Sequence, residues 1–300
     1  MGLTAQELKS SLRGIIGFGL TTFHRDFSLN LESLRQNASS LAESCEAVVP
    51  LAGNGEIYSL TPEEHITVGR AVVEEVHGRR PVIVGVGLTA SLAAELARKA
   101  EAYGADGILI LPPYFVHAND DGLFEYYRFV ADATRLGVIL FQTSAVHFSP
   151  SLLRRLAEVP NVVGLKDERG DLDLFVRQWA AVRERVELLC GVGEILAPSY
   201  FALGVKAFTS GLVNFMPARC RQLLDHLVRG EFEAAARLVE RDMLAIYDLR
   251  VKRPGYRTLV IKEAMNLLGR NAGPARPPLT SLAEGERQEL RQLLAGLGLV

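Results

Sequence analysis

Residues 161–169 read NVVGLKDER, and in this stretch an apolar run, residues 162–165, ends on a single basic side chain, Lys166. The run has the length and composition of a buried strand. Its charged end has two interpretations. Asp167 and Glu168 follow directly, so Lys166 is either a salt-bridged strand end at the protein surface or an amine that reacts covalently with a substrate.

Seven further apolar runs of this kind are distributed along the 300 residues. The starts of the runs lie roughly 20 to 35 residues apart, which is the room needed for a strand, a crossover helix and two short loops. Runs this continuously apolar are typical of parallel strands with both faces covered. The eight runs are GIIGFGL (14–20), AVVPLA (47–52), PVIVGV (81–86), GILILP (107–112), GVILFQ (137–142), NVVGLK (161–166), VELLCG (186–191) and VKAFTS (205–210).

The segments between these runs carry helix signals. Residues 60–78 have Thr61 as an N-cap and Pro62 at the first helical position, and residues 91–104 end on Gly104. Eight strand–helix units predict an α/β protein with a (β/α)8 TIM barrel fold. A doubly wound open sheet is the alternative, but no glycine-rich first turn supports it.

The last part of the chain has a different pattern. After residue 217 the sequence is helical, PARPPL at 274–279 interrupts it, and a final helix is predicted at 283–296. We therefore predict two regions. A barrel occupies residues 1–225, and a C-terminal helical extension over residues 226–300 packs on it.

Composition and charge argue against several classes of function. A net charge of −2 gives no electrostatic reason to expect binding to nucleic acid or an anionic membrane, and no apolar stretch approaches the roughly 18 residues that span a bilayer. The three cysteines are far apart and show no metal-ligand spacing, so we expect neither a metal nor another cofactor. With no secretory leader, the chain is predicted to be cytoplasmic.

Lysine is scarce, and its distribution bears on the role of Lys166. Of six lysines, Lys166 alone falls at the C-terminal end of a predicted strand, where barrel enzymes hold their catalytic groups. Lys206 lies near the start of the eighth run and so belongs to the opposite face. Partial burial lowers the pKa of a lysine and produces the free amine that attacks a carbonyl. These observations make Lys166 the candidate catalytic residue.

A second candidate element of the site is LAGNGEIYSLTPEEH at residues 51–65. Gly53 and Gly55 would let backbone amides approach a ligand closely, Asn54 adds polar atoms, and a predicted helix begins just afterwards. This arrangement suits a carboxylate. The alternative is an Asn-Gly turn of the kind that occurs in many proteins for conformational reasons alone.

Other predicted strands end in residues that complete a candidate substrate site. Tyr114 follows the fourth strand, where its phenol either faces the site or packs at the rim. Gly191 ends the seventh run, and Gly211 and Asn214 follow the eighth, where barrels often bind anionic groups. Together with Phe141 at the end of the fifth run, these residues are predicted to line the substrate site.

Two of these stretches resemble signatures of one enzyme superfamily. AGNGEIYSLTPEEH (52–65) is similar to the glycine-threonine-glycine-glutamate signature of the dihydrodipicolinate synthase and N-acetylneuraminate lyase superfamily, and GLKDERGDL (164–172) resembles its Schiff-base lysine signature. The likeness extends over nearly the whole chain. The long stretch GYRTLVIKEAMNLLGRNAGPARPPLTSL (255–282) most resembles the 5-dehydro-4-deoxyglucarate dehydratase subgroup.

The resemblance implies a (β/α)8 barrel that acts as a lyase on a 2-oxo acid, uses no metal and usually assembles as a homotetramer. It implies that Lys166 forms a Schiff base with the substrate and that the turn at residues 53–56 holds the substrate carboxylate. The protonated imine acts as an electron sink, so a proton leaves C3 readily. In the dehydratase subgroup, water and carbon dioxide are lost, giving 2,5-dioxopentanoate.

Several family positions differ in this sequence, and the end of strand five matters most. Where the family places a catalytic tyrosine at the end of strand five, this chain has Phe141, whose ring has no hydroxyl for proton transfer. Three alternatives remain open. A water or a nearby group (Tyr58, Tyr114 or His147) replaces the tyrosine; the enzyme is an aldolase or synthase with a changed substrate; or the barrel is a catalytically weak binder of oxo acids.

Overall fold

The computed structural model describes residues 2–300, in which eight parallel strands form a barrel. The strands are β1 (Gly14–Phe18), β2 (Ala47–Val49), β3 (Ile83–Leu88), β4 (Gly107–Pro113), β5 (Gly137–Gln142), β6 (Val162–Asp167), β7 (Glu187–Cys190) and β8 (Ala207–Ser210). Their order in the sheet is β2-β1-β8-β7-β6-β5-β4-β3. A parallel bridge from Val48 to Val82 brings β2 beside β3, so the sheet closes. The predicted barrel is confirmed, and the open-sheet alternative is excluded.

Helices cover the outside of the barrel. Those within residues 2–300 are α1 (Ala5–Ser11), α2 (Leu31–Ser44), α3 (Pro62–Val76), α4 (Ala90–Ala102), α5 (Asp120–Ala131), α6 (Pro150–Leu156), α7 (Leu172–Val182), α8 (Ala197–Ala202), α9 (Pro217–Val228), α10 (Phe232–Asp242), α11 (Leu244–Val251), α12 (Tyr256–Leu267) and α13 (Glu284–Gly296). Thr61 caps α3 as predicted, because its side chain accepts a hydrogen bond from the Glu64 backbone N–H. In this part of the chain, no helix has both the length and the apolar character needed to cross a membrane.

The helix α1, which the strand and helix patterns do not predict, closes the bottom of the barrel. Its Leu8, with Leu12 just after it, is buried in the inner core among inward-pointing strand residues. Gly107 and Gly137, the first residues of β4 and β5, leave room for Leu8, since a Cβ at these positions would lie 2.4 and 2.7 Å from its Cδ2 atom. The opposite end of the barrel, where the strands finish, remains available for a site.

The C-terminal helices form the predicted extension, with one difference. Residues 231–250 have a continuous helical pattern, but the structure divides them into α10 and α11 at Met243, whose backbone departs from helical geometry and whose side chain is buried in the core. The helix α12 packs against α11, α13 and the short turn at Leu212–Asn214 that follows β8. The predicted boundary after residue 225 falls inside α9, and the division into two domains stays a prediction.

Candidate active site

A pocket of about 980 Å³ lies at the C-terminal ends of the strands. Six of the residues predicted from the sequence line it, namely Lys166, Gly53, Asn54, Phe141, Gly191 and Gly211. Another wall comes from the C-terminal helices and includes Tyr247, Arg250, Arg253, Arg257 and Thr258. The pocket is therefore built jointly by the barrel and by the helices that follow it.

Lys166 lies near the end of β6 with its amine in this pocket. The residue is only 3% exposed, and its Nζ atom is 2.5 Å from Oε2 of Glu168. Glu168 follows β6 directly and continues its pairing, because its backbone N–H donates to the Gln142 carbonyl at 3.1 Å. Its side chain therefore points to the same side as that of Lys166, into the barrel. The Nζ atom also lies 3.6 Å from the centre of the Phe141 ring and 5.2 Å from that of Phe18. The amine therefore has a carboxylate and two aromatic rings as neighbours.

Burial has the largest effect on the pKa of Lys166 and lowers it from the ordinary lysine value, because the charged form loses its hydration. The carboxylates of Glu168 and Asp167 act in the opposite direction. The net lowering increases the fraction of neutral, nucleophilic amine relative to an exposed lysine.

Asp167 points to the other side of the strand and fixes the end of β6. Its carboxylate accepts hydrogen bonds from Gln142 Nε2 at 2.9 Å and from the Tyr200 hydroxyl at 2.5 Å. Gln142 is hydrogen-bonded in turn to Gln178, and all four side chains are buried. Because such a buried and well-connected network is rigid, it holds the strand end that carries Lys166.

Gly191, just after β7, is required by the path of the lysine side chain. A Cβ atom there would lie 2.8 Å from Cγ of Lys166 and 2.6 Å from the backbone carbonyl of Asp167. Both distances are too short for packed carbon atoms. Gly191 thus contributes to the site by having no side chain.

The turn after β2 contains residues that line the pocket and residues that hold the turn. Gly53 and Asn54 line the pocket. Gly55 instead packs on Leu51, where a Cβ would lie 2.6 Å from the backbone nitrogen. The next residue, Glu56, has a left-handed backbone with φ 52° and a fully buried side chain. Contacts at Gly55 and Glu56 therefore fix the conformation of the two pocket residues.

Besides Gly55, two more of the predicted site residues, Tyr114 and Asn214, lie outside the pocket lining. Tyr114 follows the end of β4 and is 70% exposed to solvent. Asn214 is buried, and its side-chain amide donates to the backbone carbonyls of Phe18 and Gly211. It acts on the site through those two neighbours. Tyr58, one of the alternative proton donors, does line the pocket.

The arginine-rich wall is not among the features that the sequence predicts. Arg257 Nη1 lies 3.2 Å from Oε1 of Glu168, and Arg253 pairs with Glu286. Arg250 forms no ion pair with any residue from 2 to 300; its guanidinium carbon lies 4.9 Å from the centre of a tyrosine ring on the same helix. The four basic residues within YDLRVKRPGYR (247–257) are the signal that could have indicated this wall.

A buried carboxylate joins this wall to the barrel. The Tyr247 hydroxyl and the Ser210 hydroxyl both donate to Glu194, which is fully buried after β7. These bonds hold α11 against the ends of β7 and β8. Across residues 2–300, no three acidic, histidine or cysteine side chains form a group that could hold a metal ion.

The closed barrel, the pocket at the ends of its strands and the buried lysine on β6 define a (β/α)8-barrel enzyme. Comparison with known proteins narrows this class. Residues 11–297 match the model of the Dihydrodipicolinate synthetase family. The chain belongs to that family.

Individual relatives agree with this assignment. A "Probable 5-dehydro-4-deoxyglucarate dehydratase" from Methylobacterium radiotolerans is 38% identical over 285 residues, which cover 94% of each chain. A "Probable 5-dehydro-4-deoxyglucarate dehydratase 2" from Streptomyces avermitilis is 39% identical over 96% of this chain and 88% of its own. The crystal structure of dihydrodipicolinate synthase from Oceanobacillus iheyensis matches with a TM-score of 0.94 at 32% identity, covering 99% of this chain and all of the other. The resemblance stated from the sequence is confirmed.

Proposed function

We propose that this protein is a lyase that forms a Schiff base through Lys166 and removes water and carbon dioxide from a 2-oxo sugar diacid, as the names of its relatives suggest. The observation that carries the proposal is the Lys166 amine, which is buried, has a lowered pKa and faces a pocket large enough for a six-carbon acid. Gly53 and Asn54 are proposed to hold the carboxylate next to the ketone.

With carbons numbered from the carboxylate next to the ketone, the proposed chemistry begins with attack of the Lys166 amine on the C2 ketone, after which water leaves and an iminium ion forms. A base removes a proton from C3, and the electron pair moves to the nitrogen to give an enamine. The enamine electrons expel the C4 hydroxyl as water. The C5–C6 bond then breaks, carbon dioxide leaves, and its electron pair enters the conjugated iminium. C4 then takes up a proton as the C5 enol becomes an aldehyde and releases its hydroxyl proton, and C3 takes up a proton to restore the iminium. Hydrolysis frees the lysine, so the net change is loss of one water and one carbon dioxide, with one proton taken up.

Incubation with 5-dehydro-4-deoxyglucarate, followed by NMR, tests the proposal directly. We expect 2,5-dioxopentanoate and carbon dioxide to appear in equal amounts. Carbon–carbon cleavage or condensation without release of carbon dioxide would instead favour the aldolase or synthase alternative. Imine formation with a panel of 2-oxo acids but no turnover of any of them would favour the catalytically weak binder.

Arg250 is proposed to bind the second carboxylate of the substrate. Its Nη2 atom is close to the pocket residue Gly211, since a Cβ placed there would lie 3.7 Å from it. Arg250 also has no acidic partner within residues 2–300. A hydrogen bond to a charged group contributes about 1.5–3 kcal/mol. We therefore expect Arg250→Gln to raise KM for the diacid by about tenfold or more. Capture of pyruvate, which has no second carboxylate, should be unchanged.

Steady-state kinetics with the diacid and borohydride capture of pyruvate measure the two effects of Arg250→Gln. Arg237→Gln, on the exposed face of α10, is the matched control and should behave like the wild type. An equal loss with pyruvate and the diacid would show that Arg250 does not bind the second carboxylate.

Phe141→Tyr distinguishes the alternatives that the sequence leaves open. The new hydroxyl would extend beyond the ring that now lies 3.6 Å from Lys166 Nζ. If the protein is an active dehydratase in which another group transfers protons, kcat should change by less than about tenfold. A gain in kcat of about 10²-fold or more, the usual contribution of a positioned acid or base, would indicate that the barrel lacks a group for proton transfer.

A homotetramer and a cytoplasmic location belong to the same proposal. The loop after β4 carries Tyr114, Phe115 and Val116, which are 70%, 92% and 59% exposed. An exposed apolar cluster of this kind supports contact with another protein surface, here a second copy of the chain. Sedimentation velocity measures whether such an assembly forms.

A further inference from the structure

We propose that Glu168 is the catalytic acid and base of this site, in the role that the family gives to the tyrosine replaced here by Phe141. The inference rests on the proposed function, because it needs an imine at Lys166. Its basis is a direct contact, since Oε2 of Glu168 lies 2.5 Å from Nζ of Lys166, the atom that would react.

The carboxylate of Glu168 lies between the nucleophile and a cation. Its Oε1 atom is 3.2 Å from Nη1 of Arg257, on α12, while Oε2 contacts the Lys166 amine. The Glu168 side chain is 32% exposed and lines the pocket, so it can reach substrate atoms bonded to the amine. Arg257 is a positioning residue in this arrangement, because it holds one carboxylate oxygen and leaves the other on the nucleophile.

All the proton transfers up to loss of the C4 hydroxyl then pass through one carboxylate. Glu168 takes a proton from the Lys166 ammonium, and the neutral amine attacks C2. The protonated carboxyl gives this proton to the C2 oxygen and takes one from the nitrogen, and it then gives that second proton to the C2 hydroxyl, which leaves as water. The carboxylate next removes the C3 proton as the enamine forms, and it passes this proton to the C4 hydroxyl, which also leaves as water. No oxidant, reductant or other co-reactant is consumed in these steps.

The other candidate groups are less suited by position. Asp167 points into the buried network on the far side of β6. Tyr114 and His147 do not belong to the pocket lining. Tyr58 does, but burial raises its pKa to about 12, so it gives up its proton less readily than an ordinary tyrosine. A bound water is the remaining alternative, and the experiment below tests it.

Pyruvate is the probe, because it forms the imine and the enamine but has no C4 leaving group. Borohydride capture at Lys166 measures the imine, and exchange of the pyruvate methyl protons with D₂O, followed by NMR, measures C3 deprotonation. In Glu168→Gln we expect exchange per captured imine to fall by about 10²–10⁴-fold. Glu187→Gln, whose carboxylate pairs with Lys206 at the opposite end of the barrel, is the control and should exchange like the wild type.

A purely electrostatic role for Glu168 would give a different result. Its charge raises the pKa of Lys166, so its removal would increase the fraction of neutral amine. Capture and exchange in Glu168→Gln would then be unchanged or faster, and this outcome would overturn the proposal. The same outcome is expected if a water performs the transfer. If Glu168→Gln does not fold, Glu168→Asp, which withdraws the carboxylate by one methylene, should lose exchange by about tenfold or more.

Adding Phe141→Tyr to Glu168→Gln should recover about tenfold or more of the lost exchange, since it supplies a hydroxyl from the neighbouring strand. If exchange in the double variant were no faster than in Glu168→Gln, this would contradict the proposal that Glu168 performs the proton transfer that the family assigns to a tyrosine at position 141. The outcomes also separate this inference from the proposed function. A folded wild type that forms no adduct overturns both, whereas a wild type that forms the adduct, with unchanged exchange in Glu168→Gln, overturns the role of Glu168 alone.

Discussion

Lys166→Ala is expected to abolish covalent capture of 2-oxo acids, because Lys166 supplies the only lysine amine that lines the strand-end pocket within residues 2–300. Borohydride reduces the imine and leaves the acid, less one oxygen atom, attached to Nζ. Intact mass therefore reports the adduct, and peptide mapping locates it. The wild type should carry the label at Lys166 and nowhere else.

Lys262 makes the Lys166→Ala result informative, because it is also a buried lysine whose pKa is lowered by burial. It is paired with Glu56 and does not line the strand-end pocket. If burial alone made an amine reactive, Lys262 would be labelled too. Lys206→Ala, at the opposite end of the barrel, is the control and should label like the wild type. Label that persists in Lys166→Ala would show that another amine forms the imine.

The strands are predictable from the sequence because their signal is local. A run such as GILILP (107–112) carries its apolar character and β-branched composition within itself. The helix α1 has only seven residues, too few for a clear periodic signal, and its buried leucines are explained only by the barrel bottom that they fill. The break at Met243 likewise follows from packing of α10 and α11 on their neighbours, which overrides a continuous local helix pattern.

The site is predictable only where its features are local. Lys166 ends a strand and residues 53–55 form a glycine turn, so both can be identified from short stretches of sequence. The contact between Glu168 and Arg257 joins residues 89 positions apart, and no local pattern indicates it. The exposure of Tyr114 depends on where β4 ends relative to the barrel rim. Sequence therefore indicates the reactive groups, while the closure of the barrel decides which of them meet.

Lys262→Met is expected to lower the free energy of unfolding by about 3–5 kcal/mol. Lys262 and Glu56 form an ion pair of 2.5 Å in which the side chains are only 3% and 0% exposed. Removal of the amine leaves a buried carboxylate without its cation, and this costs more than the net contribution of the intact pair. Methionine fills a similar volume, so lost packing adds little.

The same ion pair also helps to hold the turn at residues 53–55, which lines the pocket. Lys262 Nζ also donates to the Pro274 carbonyl at 2.8 Å, and the Arg276 backbone N–H donates to Oε2 of Glu56 at 3.0 Å. These bonds tie the turn at residues 53–55 to α12 and to the segment after it. We therefore expect Lys262→Met to weaken capture of pyruvate as well as stability, although Lys262 is outside the pocket.

Urea unfolding of matched variants measures the effect of Lys262→Met on stability. Lys206→Met removes an exposed lysine whose Nζ atom lies 3.9 Å from Oε1 of Glu187, and its free energy of unfolding should fall far less. Combining Glu56→Gln with Lys262→Met removes both buried charges and should recover at least half of the loss, because neutral replacement of a buried pair is often tolerated. A loss below about 1 kcal/mol for Lys262→Met, the ordinary effect of a substitution, would mean that the carboxylate is solvated when alone and that this pair does not anchor the turn to α12.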